Sequence, residues 1–272
     1  YKNTFKIYDK TGKVIAISEN IKKYFERINF PQDVEVSNTY EFLKTLHYCH
    51  ITSVPYENMD ILDKRAISLE PEDLYDKIVG RHRGGYCFEV NGFLSYVLTQ
   101  LGFETEDYFA RFLRNEQGLP MRRHRIVAAY CEGEKYICDV GIGQSSPRYP
   151  LKLVEGLVQE QFGETYKFEK NKYGEWELYD LYEGNWRIFY SFYEAHQYNI
   201  DFYQPSYYFE THPESMFNKK LIIAVKTKTG RKTIDDRTFK VFEGDEMVSM
   251  EPDMTDERRK EVLKKEFGLE WK

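Results

Sequence analysis

The apolar period of this chain changes near residue 105, and that change constrains the fold more than any other feature. Before it, apolar residues recur at helical spacing. Ile21, Tyr24, Phe25 and Ile28 lie at i, i+3, i+4 and i+7 behind Ser18, a good N-cap residue. A second helix is expected from about Ser37, carrying Tyr40, Phe42, Leu43, Leu46 and Ile51 and stopped by Pro55. Pro71 suits the first turn of another helix, continued by Leu74, Ile78 and Val79. From Asp107 to Tyr190 the pattern becomes one of short alternating strands. Turn signals at Glu132-Gly133, Tyr173-Gly174 and Glu183-Gly184 separate them, as in a small barrel or sandwich. A Tyr-rich stretch with Pro205 and Pro213 follows, then strands around 221–228 and 238–242 and a helix capped by Thr255. The expected units are a hairpin extension over 1–17, a helical unit over 18–104 and a β unit over 105–190. An interdomain segment over 191–213 leads to a mixed α/β unit over 214–272.

Composition excludes several classes. With 41% hydrophobic and 31% charged residues the chain is globular rather than disordered, and no apolar run approaches the roughly 18 residues of a membrane span. A net charge of −6 argues against nucleic acid as a partner. Four cysteines without CxxC spacing make neither a zinc site nor a disulfide scaffold, which suits a reducing compartment. No secretory leader pattern is visible, and the cytoplasm is the expected location.

The segment Arg81–Asn91 concentrates chemistry. Val90, Phe93, Leu94, Val97, Leu98 and Leu101 fall on a helical pattern after Cys87, and Gly84-Gly85 before it permits a tight turn with positive φ. Cys87 is therefore expected at the N-terminus of a buried helix, where free N–H groups and the helix dipole favour a charged sulfur. Arg81 and Arg83 would add positive charge. The competing reading of Cys87 is a small buried hydrophobe.

A thiolate nucleophile needs a base and a group that orients the base. If Glu132-Gly133 forms a two-residue hairpin loop, paired positions sum to 265. Asp139 then lies opposite Ile126, with His124 as its diagonal neighbour on the same face. A slip of one residue would separate the two side chains. Alone, His124 reads as a strand histidine and Asp139 as a strand-end residue.

These residues carry a resemblance. Arg83-Gly-Gly-Tyr-Cys-Phe-Glu-Val-Asn91 resembles the nucleophile motif of the arylamine N-acetyltransferases, and His124 and Asp139-Val-Gly match the family's other two motifs. Val54-Pro-Tyr-Glu-Asn-Met59 and Thr211-His-Pro-Glu-Ser-Met-Phe217 resemble further segments. The resemblance runs from about residue 19 to the C-terminus. It implies an α+β fold, with an N-terminal helical bundle, a central antiparallel β-barrel and a C-terminal α/β lid, related to the cysteine proteinases. It implies catalysis by Cys87, His124 and Asp139, with Arg83, Glu57 and Asn91 supporting the site and Arg83 paired with Glu57. It also implies acetyl-CoA as acyl donor, no metal, and a small arylamine or hydrazine acceptor. Gly141, Ile142, Gly143 and Arg123 become candidate substrate contacts. Ile142 stands where the family often has Phe, which bears on the choice of amine. The chain is expected to act as a monomer or weak oligomer.

Three other readings stay open: an amide synthase of the same fold taking a carrier-bound acyl chain, a Cys-His-Asp hydrolase, and a silent binding domain. The remaining conspicuous residues read as structural. His47 and His50 lack a clear third metal ligand, and His212 reads as a structural residue. The Tyr-rich stretch 182–208 reads as packing, and the Lys/Arg residues of 258–265 as a solvated helix face. Arg122 and Arg123 are candidates for contact with CoA.

Overall fold

The structure, a computed structural model, describes residues 6–8, 14–16 and 18–271. Strands β1 (Lys6–Tyr8) and β2 (Val14–Ala16) pair antiparallel, with Ile7 opposite Ile15. The turn Asp9–Gly12 expected between them lies outside the described residues. Helix α1 (Glu19–Arg27) starts where the Ser18 hydroxyl accepts from the Ile21 N–H, and it buries Ile21, Tyr24 and Phe25. Helix α2 (Tyr40–Ser53) is capped by Thr39 and ends before Pro55. A two-residue strand, β3 (Tyr56–Glu57), and the short helices α3 (Met59–Leu62) and α4 (Pro71–Tyr75) follow. Pro71 occupies the first turn of α4, where its missing N–H costs nothing, and the chain continues as a π-helical turn over Asp76–Gly80.

Helix α5 (Cys87–Gln100) is the structural axis. Eleven of its fourteen residues are buried, because it is apolar on nearly all sides. One flank packs on α1 and α2 through Val90, Phe93, Leu94, Val97 and Leu98, and the other meets the barrel.

The barrel runs through β4 (Glu104–Phe112), β5 (His124–Cys131), β6 (Glu134–Cys138), β7 (Leu151–Lys152), β8 (Gln159–Gln161), β9 (Glu164–Lys170), β10 (Trp176–Tyr182) and β11 (Asn185–Phe192). Its order is β7-β6-β5-β4-β11-β10-β9-β8. Between the outer strands β7 and β8, glutamine side chains substitute for a backbone ladder. Gln159 accepts from the Lys152 N–H and donates to its carbonyl, and Gln161 does the same for Tyr149. The result is a nearly closed antiparallel barrel within an α+β fold. Strand β5 is buried on both faces: Ile126 and Ala128 enter the barrel core, while Val127, Ala129 and Cys131 join the core of α5.

Helix α6 (Tyr203–Thr211) follows, then a third sheet of β12 (Ile222–Lys226), β13 (Gly230–Asp235), β14 (Thr238–Glu243) and β15 (Glu246–Glu251), and finally helix α7 (Asp256–Phe267). The sheet order β15-β14-β13-β12-β3 recruits β3 from far upstream. Helix α7 begins at its Thr255 cap and buries Val262, Leu263 and Phe267. Where the sequence suggested two strands, the structure has four. Strands β13 and β15 escaped notice because β13 is mostly polar, β15 is mostly exposed, and neither carries an apolar alternation. Within the stretch 191–213, the first two residues finish β11 and most of the second half is helical.

Candidate active site

Cys87 is the first residue of α5 and is buried, where the cluster of Tyr86, Phe88, Phe202, Phe209 and Phe217 meets the barrel. The glycines before it serve close approach rather than positive φ, which corrects the sequence expectation. A Cβ on Gly84 would lie 1.8 Å from the Pro55 carbonyl oxygen, and neither Gly84 nor Gly85 is left-handed. The approach is needed because the Glu57 N–H donates to the Gly85 carbonyl and the Gly85 N–H to that of Pro55. Strand β3 thereby fixes the entry to α5.

The cationic flank is also reassigned. Arg81 is exposed and paired with Asp76, and Arg83 is held by Glu57 at 2.8 Å and Asp60 at 3.0 Å. Both charges are spent on carboxylates. Next to them Lys77, nearly inaccessible, bridges Asp60 and Glu89 at 2.8 and 2.6 Å, and Glu89 accepts from the Tyr86 N–H at the helix start. This buried network holds the first turn of α5 in place.

The positive charge beside the sulfur comes from the barrel. Strands β5 and β6 pair in the register that sums to 265, around a turn with Glu132 and Gly133 both at positive φ. His124 and Asp139 meet as diagonal neighbours, His124 Nε2 lying 2.7 Å from Asp139 Oδ2. Burial alone would push the ring towards neutrality. The Asp139 carboxylate and a hydrogen bond with Cys87 outweigh it and raise the pKa to about 10. Cys87 Sγ also lies 3.9 Å from the Arg123 carbonyl oxygen.

Asp139 is itself over-determined. Its Oδ1 accepts from Asn91 Nδ2 and from the Gly141 N–H, both at 2.9 Å. Asn91, one turn beyond Cys87 on α5, also donates to the Arg125 carbonyl at 2.6 Å and accepts from the Val140 N–H. One side chain thus ties the helix to both barrel strands. Only glycine fits at 141, since a Cβ there would lie 2.9 Å from Cys87 Cα and 2.6 Å from Asn91 Nδ2.

A cavity of about 540 Å³ opens onto Cys87 and His124. Gly141, Ile142, Gly143 and Arg123 all line it, as do Tyr56 and Phe217.

The chain from residue 39 to 272 matches the family model described as N-acetyltransferase. The arylamine N-acetyltransferase of Mycobacterium tuberculosis strain H37Rv is 34% identical over 228 residues, covering 82% of this chain and 80% of that one. The chain belongs to the arylamine N-acetyltransferase family. Among solved members, the enzyme from Salmonella typhimurium aligns with a TM-score of 0.88 at 27% identity over 93% of this chain and 92% of that one. The Mycobacterium marinum enzyme in complex with CoA aligns at 0.85 and 27% over 91% and 92%.

Within that family frame, several contacts were not legible in the sequence. Tyr190 on β11 hydrogen-bonds Asp139, and its ring tilts against His124 at 5.7 Å between centroids. Burial, then the neighbouring Asp139 and Cys138, keep its phenol protonated well above the ordinary range, so it donates to the carboxylate. Arg125 of β5 bonds Asp107, which also accepts from Ser95 of α5. No spacing rule predicts these pairs, because they join three separate elements.

The other histidines stand apart from this centre. His47 Nδ1 bonds the Arg148 carbonyl and His50 Nδ1 bonds the Tyr24 hydroxyl, each at 2.9 Å. Burial lowers them to about 4 and about 3. His212 stacks on Tyr208. No group of three or more His, Cys, Asp or Glu side chains among the described residues could hold a metal ion. Arg122 lies over the Tyr193 ring and near Glu175, and Arg123 is paired with Glu116. No helix of the described residues is long and apolar enough to cross a membrane.

Proposed function

We propose that the chain transfers an acetyl group from acetyl-CoA to the nitrogen of an arylamine or arylhydrazine, by a ping-pong route through a thioester on Cys87. The observation that carries this reading is the buried His124–Asp139 pair at 2.7 Å beside a buried cysteine at a helix N-terminus. The family relationship and a CoA-bound relative support the choice of donor.

The reacting form pairs a thiolate on Cys87 with an imidazolium on His124. Its Nε2–H points to Asp139, which leaves Nδ1–H for Cys87. The thiolate attacks the thioester carbonyl carbon, and the Cys87 and Phe88 N–H groups at the N-terminus of α5 face the developing oxyanion. Each such donor is worth roughly 3 kcal/mol in the transition state. The carbon–sulfur bond to CoA breaks, and the CoA sulfur takes the His124 proton. The acceptor amine then attacks the acetyl-enzyme. Neutral His124 removes its proton, Cys87 leaves as thiolate, and the reacting pair is restored.

Asp139, Asn91 and Tyr190 keep the ring oriented and charged, and Arg83 and Glu57 support the turn. Gly141, Ile142, Gly143 and Arg123 contact the substrates. We place the activity in the cytoplasm, with the chain acting as a monomer or weak oligomer.

The test is intact mass after mixing with acetyl-CoA. The protein should gain about 42 Da, one acetyl group on one thiol, and lose it on addition of a hydrazine or aniline. An adduct that survives Cys87→Ala, or peptide cleavage without an adduct, would overturn the reading.

A further inference from the structure

The floor of the cleft is a face of the third sheet, and its register fixes a line across it. Gly85 bridges to Tyr56, Tyr56 pairs with Ala224, Ala224 with Thr233, and Thr233 with Lys240. Directly opposed residues share a face, and Tyr56, Ala224, Thr233 and Lys240 all line the cleft with Cys87. The two middle positions carry small, buried side chains, with Gly143 packed beside Tyr56 and Ala224, and the cavity that runs past them reaches both Cys87 and Lys240.

Lys240 differs from the other arginines and lysines of the cleft. Arg114 is paired with Asp180, Arg123 with Glu116, and Lys220 with Asp235 at 2.6 Å. The side chain of the half-buried Lys240 has no hydrogen-bond or ion-pair partner among the described residues. The acidic side chains of the cleft, Glu116 and Asp235, are those already paired. Lys240 is therefore a cation without its anion, in the wall of a substrate cleft.

The distance selects the anion. Three strand spacings of about 4.8 Å separate Tyr56 from Lys240, or roughly 14 Å. An acceptor's ring substituent is too short to span this. The pantetheine arm of CoA matches it. Its pantoyl, β-alanyl and cysteamine units are comparable with four to five extended residues at about 3.3–3.6 Å each, or roughly 15 Å from thioester to diphosphate.

Resting on the acetyl-CoA reading above, we propose that Lys240 is a binding residue for the acyl donor. With the thioester at Cys87, the pantetheine arm lies along the Tyr56–Ala224–Thr233 row and the first phosphate of the donor sits at the Lys240 ammonium. The contact is a charge-assisted hydrogen bond at one end of the substrate, remote from the reacting atoms. It strengthens donor binding without changing the chemistry of the thioester.

Calorimetric titration with CoA tests the contact whether or not the protein acylates. Lys240→Ala should bind CoA about tenfold more weakly than the wild type, Lys240→Arg should recover most of the affinity, and the difference should shrink at high salt. Three donors then locate the charge: acetyl-CoA, S-acetyl-4′-phosphopantetheine and S-acetylpantetheine. The KM for the first two should rise about tenfold in Lys240→Ala, and the third, which lacks phosphate, should be unaffected. That unaffected rate also shows that the variant is folded. Equal CoA affinity in the variant, an equal rise for S-acetylpantetheine, or a rise for acetyl-CoA alone would each overturn the assignment. Failure of the wild-type protein to form an acetyl-enzyme with any donor would instead refute the acyl-transfer reading, and the CoA titration would still judge Lys240.

Discussion

His47 and His50 on α2 and His124 on β5 are buried to similar extents, 1%, 1% and 5% exposed, yet burial wins at two of them and loses at the third. His47 and His50 have neutral partners, a carbonyl and a phenol, and fall to about 4 and about 3. His124 has a carboxylate at 2.7 Å and rises to about 10. The lesson is that depth alone does not make a functional histidine here. One correctly placed carboxylate reverses the sign, and the protein invests Asn91, Tyr190 and the Gly141 N–H in holding that carboxylate.

The comparison can be broken most directly by removing the charge and keeping the shape. Asp139→Asn should turn His124 into a histidine like His47. Single-turnover acylation by acetyl-CoA should then fall about 10³-fold or more, by analogy with the orienting carboxylate of other triads. A rate within tenfold of wild type would mean that the carboxylate is dispensable. The same rule, that a buried charge needs its partner, applies at the turn before Cys87. Arg83→Ala strands Glu57 and frees Asp60 from one cation, and should lower unfolding free energy in urea by about 3–5 kcal/mol. A loss under about 1 kcal/mol would show that the pair is not a structural anchor.

At the other pole, His47→Leu removes a neutral ring and one hydrogen bond. It should cost about 1 kcal/mol of stability and leave the acylation rate unchanged. Stability against pH separates the two classes by sign. The raised His124 contributes stability that is complete below its unfolded value near 6.5 and is lost as pH rises through about 10. The lowered His47 and His50 contribute stability that is complete above that unfolded value and is lost as pH falls towards about 4 and about 3. In His47→Leu the acid-side loss should shrink, while in Asp139→Asn the alkaline-side loss should disappear.

Much of this was legible in the chain itself. The change of period near residue 105 separated helices from barrel. Ser18, Pro71 and Thr255 marked helix starts that the structure keeps. The Glu132-Gly133 loop fixed a register from which the His124–Asp139 contact followed by arithmetic. These signals share a cause, since each is local and uses chemistry within a few residues. What escaped is non-local. Strand β3 is only two residues long and is defined by its pairing with β12, some 165 positions later. The bond from Tyr190 to Asp139 crosses the barrel. Gly84 owes its identity to a carbonyl of Pro55, so the sequence shows the glycine but suggests the wrong reason, positive φ. Arg81 and Arg83 looked like neighbours of the sulfur because they are close in the chain, whereas Asp76, Glu57 and Asp60 claim them in space.

The central claim is that His124 is charged at neutral pH because Asp139 faces it. An NMR titration of histidine ring carbons in the intact protein, with the signal assigned through His124→Gln, reads this directly. The ring of His124 should remain protonated from pH 6 to 8 and titrate near 10, while His47 and His50 remain neutral over the same range. A His124 that loses its proton near the ordinary value of about 6.5, or that titrates identically in wild type and Asp139→Asn, would contradict the account.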